Sequence, residues 1–561
     1  MPRTTLHRAS RCFRYLLLGL LIAPEAIADD LASQQLRDQQ QQLQRLEHEQ
    51  RLRQWERRGQ VSEPEPVRSG AGTVQQCWSI PGVRLYGNRV LSAHVLDGPV
   101  QLQLRPCMDV DAINGLLKAI TQRYVDAGYP TSRPLLVRRP SAGAPLDIRI
   151  VEGFVESIEL ADRTQPLSLR GAFPGLLGEP LYLPDLEQGL DQLNRLPGFD
   201  VSIDLRPGEL EGGTRVIVQP QRLARRWRLH STYDNLGNDL SGVHRLTSYA
   251  AVDSPFGYNG YLRLGFLRTA GGAMGHSAGP SFHYDVPYGP WSLALTSIQL
   301  THQAAAARNT AHILDGENRF YQLKVERTLW RNQHAMISAL TRLEHKRTIS
   351  RFDGSRLSFQ SPALTRVEFG LNLLWLQGGL WNASVSLSQG VNWFGADREA
   401  SWPAAYQPLH RTYRASLLHL RQGTPHQPWR WQSELSVQYS ADDLPAIDQL
   451  NLTGDNAVRG FRNDLVPGAS GAVWRNTLSY PLPLPLPPGV EVRPHLGLDH
   501  GWARYSQASS PNRLTGATAG LNLTLPGSRI RLDYQHPLHA SNQRRQDLDS
   551  GYWVVEWALT I

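Results

Sequence analysis

At 561 residues the chain is too long for one ordinary hydrophobic core and predicts several domains. Charged residues make up 19%, below the usual share of about a quarter; 48 glycines, 38 prolines and 15 tryptophans beside 4 methionines favour a turn-rich β protein over a helical enzyme. The net charge of +8 is mild for this length, so no nucleic-acid partner is expected.

Residues 1–28 read as a signal peptide. Arg3, Arg8, Arg11 and Arg14 precede the apolar stretch YLLLGLLIA, which is too short to span a bilayer as a helix. Ala26-Ile27-Ala28 then supplies an A-x-A cleavage site. The chain is therefore expected to be exported, with an uncleaved anchor as the alternative. Removing four arginines and Glu25 takes the net charge from +8 to +5. Cys12 leaves with this segment. Cys77 and Cys107 form an even pair in an exported protein and read as a disulfide. No metal is expected: zinc would need further ligands at close spacing, and the 18 histidines contain no H-E-x-x-H pattern.

Residues 29–58 (DDLASQQLRDQQQQLQRLEHEQRLRQWERR) form a polar helix with a thin stripe of Leu36, Leu43, Leu46, Leu52 and Trp55. Such a helix cannot pack in a dry core. It is either solvated or coiled-coil, or it occupies a water-filled cavity. A linker follows over 59–74, opening GQVSEPEPVRSGAGT. Residues 75–153 then read as a small strand–helix–strand unit. Its helix carries Ile113, Leu116, Leu117, Ile120 and Tyr124 on one face and stops at Gly128, and the strand LDIRIV follows. Residues 154–221 repeat the cycle, with ESIELA as strand, LPDLEQGLDQLNRL as helix, and FDVSIDLRPG and TRVIVQP as strands.

From 222 to 561 period-two alternation replaces helical spacing. In YQLKVERTL, Tyr321, Leu323, Val325 and Leu329 alternate with Gln322, Lys324, Glu326 and Thr328, and Arg327 is the misfit. WNASVSLS, WQSELSVQY, RIRLDYQ and the final GYWVVEWALTI alternate likewise. A soluble sandwich would also alternate. A polar face rich in charge, and an apolar face that often begins or ends in Trp or Tyr, favour a membrane barrel. At roughly 10 residues per strand plus loops, the length accommodates about sixteen strands. The alternation assigns Lys324, Glu326, Glu368, Arg529, Arg531 and Asp533 to a wet lumen. Gly275-His276-Ser277-Ala278-Gly279 matches the G-x-S-x-G nucleophile elbow, but Pro280 and a strand-like run follow where that motif needs a helix, so no hydrolase is expected.

The loop-like run LTGDNAVRGFRND poses a separate problem. Val458 and Phe461 have little use in water, and Arg459 cannot be buried without a carboxylate partner. On spacing alone a surface turn, with Arg459 paired to Asp455 or Asp464, remains open.

In order, CWSIPGVRL, GYPTS, VEG, LEQGLDQLNRLPG, YDNLGNDLSGVHR, YDVPYG, VRGF (458–461) and LDHG (498–501) resemble the motifs of the outer-membrane transporters of two-partner secretion systems, in the barrel superfamily that carries periplasmic POTRA domains. Both the haemolysin secretion/activation type and the contact-dependent-inhibition type belong to that family. The resemblance implies a mainly β fold: a 16-stranded transmembrane antiparallel barrel preceded by a plug helix (29–58) and two periplasmic α+β POTRA domains (75–153 and 154–221). It implies that Val458, Arg459, Gly460 and Phe461 form a pore loop whose arginine meets Asp499 on the barrel wall, with Gly501 beside it.

It further implies secretion of a large unfolded exoprotein, such as a haemolysin, an adhesin or a contact-dependent inhibition toxin. The POTRA domains would recognise this cognate TpsA partner through its N-terminal secretion domain, and no ATP would be used. The other expected partners are outer-membrane lipid, periplasmic chaperones and the barrel-assembly machinery. A monomer with no cofactor and no enzymatic activity is expected. A barrel-assembly factor is the alternative function, and a small-solute porin a more distant one. Ser241 stands where the family has Thr, and Ile561 where such barrels end in an aromatic residue. His500, beside Asp499, is polar where a small residue is common, which puts the pairing with Arg459 in doubt.

Overall fold

A computed structural model describes residues 77–561 apart from 238–240, 271–274, 306–311, 333, 399–406, 425, 463–465 and 542–549. The expected signal segment, polar helix and linker lie outside the described residues.

The first domain runs β1 (Val83–Tyr86), α1 (Ala93–Gln103), α2 (Val110–Asp126), β2 (Arg133–Leu136) and β3 (Leu146–Val151), with sheet order β1-β3-β2. Helix α2 starts where Asp109 accepts a 2.7 Å hydrogen bond from the Ala112 amide. Its apolar face, Ile113, Leu116, Ile120 and Tyr124, packs on Leu146, Ile148 and Ile150 of β3. The Tyr124 hydroxyl donates to Glu152 at 2.9 Å, and burial with this carboxylate neighbour pushes its pKa up. Cys77 and Cys107 are joined, with Cα atoms 5.5 Å apart. Helix α1 is absent from the sequence reading. Gly98 and Pro99 interrupt its pattern, and burial of Leu96 and Val100 against α2 outweighs their poor propensity.

The second domain repeats the plan with β4 (Phe154–Leu160), α3 (Leu169–Ala172), α4 (Leu183–Asn194), β5 (Phe199–Pro207) and β6 (Gly213–Leu223), in sheet order β4-β6-β5. Leu186 and Leu193 of α4 pack on Val201, Val216 and Val218.

The remaining chain closes into an antiparallel barrel. Its strands are β7 (Trp227–Asp234), β8 (His244–Asp253), β9 (Tyr261–Ala270), β10 (His276–Tyr288), β11 (Trp291–Ala305), β12 (Ile313–Arg331), β13 (Ala335–Phe352), β15 (Ala363–Trp375), β16 (Leu380–Val391), β17 (Arg411–Gln422), β18 (Arg430–Tyr439), β21 (Ser470–Ser479), β22 (Glu491–Arg504), β23 (Asn512–Leu525), β24 (Ser528–Ala540) and β25 (Tyr552–Thr560). These are sixteen; β14 (Ser355–Arg356) is a two-residue return on β13. A short hairpin, β19 (Leu450–Asn451) with β20 (Pro467–Gly468), lies in the loop between β18 and β21.

Closure leaves no open edge. β25 pairs with β7 from Glu556↔Asp234 to Thr560↔His230. Ile561 extends this seam by exchanging backbone hydrogen bonds with Leu229. Asn235 extends it at the other end: its carboxamide donates to the Trp553 carbonyl at 2.8 Å and accepts from the Val555 amide at 2.9 Å.

The outer face is apolar, with Leu293, Leu295, Leu323, Phe369, Leu371, Leu496 and Leu498 exposed and Trp227, Trp291, Trp375 and Trp381 near one rim. This is the surface of a membrane-spanning barrel. Among the described residues no helix is long and apolar enough to cross a membrane. Arg327, the misfit in the alternation, lies on this outer face at the rim, 4.9 Å from the ring of its cross-strand partner Trp291. Ser277 is fully buried on β10, and no helix follows it.

The second domain docks against three turns at one end of the barrel. Gln192 donates to the Gly289 carbonyl at 2.9 Å, and Asn259 exchanges two 2.7 Å hydrogen bonds with the Ser168 backbone. Arg195 pairs with Asp285, and Arg331 reaches Asp191 at 3.0 Å.

Candidate functional site: a loop pinned inside the barrel

The chain between β18 and β21, described over 440–462 and 466–469, turns back into the barrel from the end opposite the docked domain. The β19–β20 hairpin forms its neck. Beyond the neck, tight hydrogen bonds from Ala457 to the Gly454 carbonyl and from Val458 to the Leu452 carbonyl build a compact tip. Val458 and Phe461 are fully buried with Leu452, Val473, Ala503, Leu514 and Ala540. A loop therefore carries Val and Phe because the barrel wall is their core.

Arg459 lies between them. Its Nε is 2.6 Å from Asp499 Oδ2 and its Nη2 is 2.6 Å from Oδ1, a bidentate pair. Its backbone amide also donates to Oδ2 at 3.1 Å, and Nη2 reaches the Asn476 carbonyl and Thr477 Oγ1. The Arg459 side chain is 4% exposed and that of Asp499 is 0%. Gly460 adopts φ +103°, which favours glycine, and a Cβ there would lie 2.6 Å from the His536 backbone. Gly501 is needed on the wall for the same steric reason, since a Cβ would meet Val458 Cγ2 at 2.6 Å. Gly497 and Gly516 face Arg459 just as closely. Three wall glycines thus make room for the loop. His500 does not disturb the pairing. It points to the opposite face of β22 from Asp499 and lies 3.0 Å from Thr515.

Asp455 is held separately. Arg531 contacts it through both terminal nitrogens, at 2.5 and 3.1 Å, and Gln535 donates to it at 3.0 Å while accepting from the Gly460 amide. The local pairing of Arg459 with Asp455, left open by the sequence, is not the one formed. Arg462 donates to the Asn235 carbonyl at 2.9 Å, and its guanidinium lies 5.3 Å from the Tyr552 ring. The tip therefore touches the strand seam.

A second anchor, unread in the sequence, holds the base of the loop. Asp448 ends a single 3-10 turn, Ala446–Asp448. Its Oδ1 accepts from Lys346 at 2.6 Å and from Arg366 at 3.0 Å, and His410 lies 3.1 Å from Oδ2. Arg366 is shared with Glu344 at 2.5 Å, and beside them Arg342 pairs with Glu368 at 2.7 Å. Ile447 is buried with Ile298, Phe320 and Leu364. The available signal was weaker than for Arg459: a charge that ends an apolar, turn-rich run, Leu444-Pro445-Ala446-Ile447-Asp448, and is followed by Gln449.

Between the loop and the docked domain lies a cavity of about 690 Å³ among the described residues. Gln188, Asp191 and Arg195 line its domain end, and Asp455, Asn456 and Arg462 its loop end. Lys324, Glu326 and Arg529 face it as the alternation implies. These three are paired too, Lys324 with Glu326 at 3.0 Å and Arg529 with Glu556 at 3.3 Å; Glu368, Arg531 and Asp533 also point inward, in ion pairs of the wall and loop. The cavity wall is charged, and the loop contacts are nearly dry.

Comparison with known proteins matches three family models. Residues 212–523 match the haemolysin secretion/activation protein family ShlB/FhaC/HecB, residues 78–153 the ShlB-type POTRA domain and residues 154–207 a POTRA domain. The chain is 30% identical over 508 residues to the hemolysin transporter protein HpmB of Proteus mirabilis, covering 89% of this chain and 88% of the relative. It is 28% identical to the outer membrane transporter CdiB of Escherichia coli O6:K15:H31, covering 87% and 83%. Its structure resembles that of CdiB from Escherichia coli, with a TM-score of 0.83 at 25% identity over 94% of this chain and 98% of the other.

Proposed function

The chain belongs to the ShlB/FhaC/HecB family of haemolysin secretion/activation proteins, and from that premise we propose that its pinned loop is the gate of a protein-export pore. It is an outer-membrane transporter of two-partner secretion, with a β-barrel in the outer membrane and POTRA domains in the periplasm. The end of the barrel carrying the docked domain therefore faces the periplasm. In the proposed cycle, a large unfolded exoprotein binds the POTRA domains through its N-terminal secretion domain. Strand addition to an exposed edge such as β2 or β5 is the suited mode. The exoprotein then threads the charged lumen and folds outside. No ATP is consumed, and the chain has no catalytic role.

Arg459 and Asp499 hold the gate. The observation that carries this reading is their bidentate pair, buried on both sides and joining an extracellular loop to the inner wall. Releasing the loop would open a path from the POTRA mouth outward. The segment 1–28 is assigned as a signal peptide and 29–58 as a plug helix. The cargo class is a haemolysin, an adhesin or a contact-dependent inhibition toxin.

The test is mass spectrometry of culture medium and outer membrane, with the gene intact, deleted or carrying Arg459→Ala. Loss of one or two very large secreted proteins on deletion, and a sharp reduction in the variant with its barrel still assembled, is expected. Broad loss of outer-membrane barrels would point to an assembly factor instead. Wild-type secretion by the variant would remove the gate role of Arg459.

A further inference from the structure

The periplasmic turn between β21 and β22 reads Tyr480-Pro-Leu-Pro-Leu-Pro-Leu-Pro-Pro-Gly-Val490. Periplasmic turns of outer-membrane barrels are short, as in β10–β11 with Gly289-Pro290 and β23–β24 with Pro526-Gly527, while β17 and β18 are joined over residues 423–429. This turn is long, carries no charged residue, and leaves Leu482, Leu484 and Leu486 exposed.

Its backbone has an unusual donor inventory. The five prolines have no N–H. Each leucine N–H is bonded within the hairpin: Leu482 to the Val492 carbonyl, Leu484 to Leu482 and Leu486 to Leu484, each at 2.8 Å. The last two bonds close three-residue turns around Pro483 and Pro485, whose fixed φ suits them. From Pro481 to Pro488 no amide donor is left without a partner, although the segment is neither helix nor regular strand. In hydrocarbon both N–H and C=O groups must be satisfied internally; here the donors are, while the carbonyls of Pro481, Pro483, Pro485, Leu486 and Pro488 receive no backbone donor and call for the water of the headgroup region.

The side chains continue an existing surface. Trp474 and Leu478 face outward on β21, beside Leu496 and Leu498 on β22. Tyr480 and then Leu482, Leu484 and Leu486 keep the same two-residue step. Leu482 meets Val492, whose strand carries the outward Leu496 four residues further on. The row continues from Tyr480, a residue type that marks the membrane–water interface, and so places the leucines at that interface. The geometry points to an interfacial ledge: residues 481–488 lie in the interface of the periplasmic leaflet, with the three leucines at the boundary between headgroups and acyl chains. The ledge gives a lateral anchor to the strand pair that carries Thr477 and Asp499, the wall to which the loop is pinned. The alternative occupant for a proline-rich segment is a periplasmic protein. Continuity with the barrel's lipid face and the absence of an unpartnered donor favour the membrane.

The test uses the full-length protein in liposomes of phosphatidylethanolamine and phosphatidylglycerol, with Leu484→Cys carrying an NBD fluorophore and the native cysteines kept oxidised. Leu496→Cys is the lipid-facing control and Ser141→Cys the aqueous one. Quenching of position 484 by headgroup-proximal doxyl lipid within about twofold of the Leu496 control, and weak quenching by iodide, is expected. Replacing Leu482 and Leu486 with Gln should lower the doxyl quenching at least threefold. Iodide quenching equal to that at Ser141 would overturn the ledge, as would a photo-crosslinker at 484 that captures a periplasmic protein in cells. Doxyl quenching unchanged in the Gln variant would remove the role of the leucines.

Discussion

The tip and the base of the inward loop solve one problem in two ways. At the tip, Arg459 and Asp499 form a one-to-one bidentate pair, sealed by Val458 and Phe461 and seated on wall glycines. At the base, Asp448 faces Lys346, Arg366 and His410 together, and Arg366 is itself shared with Glu344. A one-to-one pair gives a single orientation and concentrates the charge pairing of the tip on one carboxylate, which suits the moving end of a gate. A network spreads the charge over several strands and tolerates loss of a member, which suits a hinge that stays in place.

The comparison is broken most severely at Asp499. Asp499→Ala leaves a guanidinium buried without its carboxylate, at a cost of about 3–5 kcal/mol. Secretion is expected to fall at least tenfold while the heat-modifiable barrel band persists on gels. Asp448→Ala comes next. It deprives Lys346 of its carboxylate, but Arg366 keeps Glu344, so about 2–3 kcal/mol is expected. Its mark is faster amide exchange over 440–450, with the tip still protected. Equal exposure of tip and base would show that the two anchors act as one.

A smaller effect is expected from Arg462→Ala. It removes a hydrogen bond to the Asn235 carbonyl, worth about 1 kcal/mol, together with the contact on the Tyr552 ring, and should speed amide exchange along β25 before any other strand. Lys346→Met is the mildest, below about 1 kcal/mol, because Arg366 and His410 remain on Asp448 and the methionine chain replaces the lysine stem. A loss as large as that of Asp448→Ala would disprove the tolerance assigned to the network.

The legibility of the two anchors differs for a physical reason. Arg459 stood out because Val-Arg-Gly-Phe contradicts its surroundings, and Asp499 was named through the resemblance of LDHG. Lys346, Arg366 and His410 are scattered along three separate stretches of alternating strand, where a charge on the polar face looks like ordinary lumen lining. Only the closure of the barrel gathers them on Asp448. Glu368, Arg531 and Asp533 show the converse. Alternation turned them inward correctly, but could not tell a side chain facing water from one engaged in the wall. Helix α1 went unread because Gly98 and Pro99 suppress the local signal that burial of Leu96 and Val100 overrides.

The sequence by itself determined the succession of two α+β units and a long alternating barrel, because a period of two or of 3.6 residues follows from local backbone geometry. It also determined which faces of the strands are apolar. The tertiary structure decided which inward charges meet, that His500 turns away from the loop, that three glycines clear its path and that Asn235 lengthens the seam. Those contacts join residues far apart in the chain, and barrel closure and strand register, which no local pattern encodes, bring them within reach.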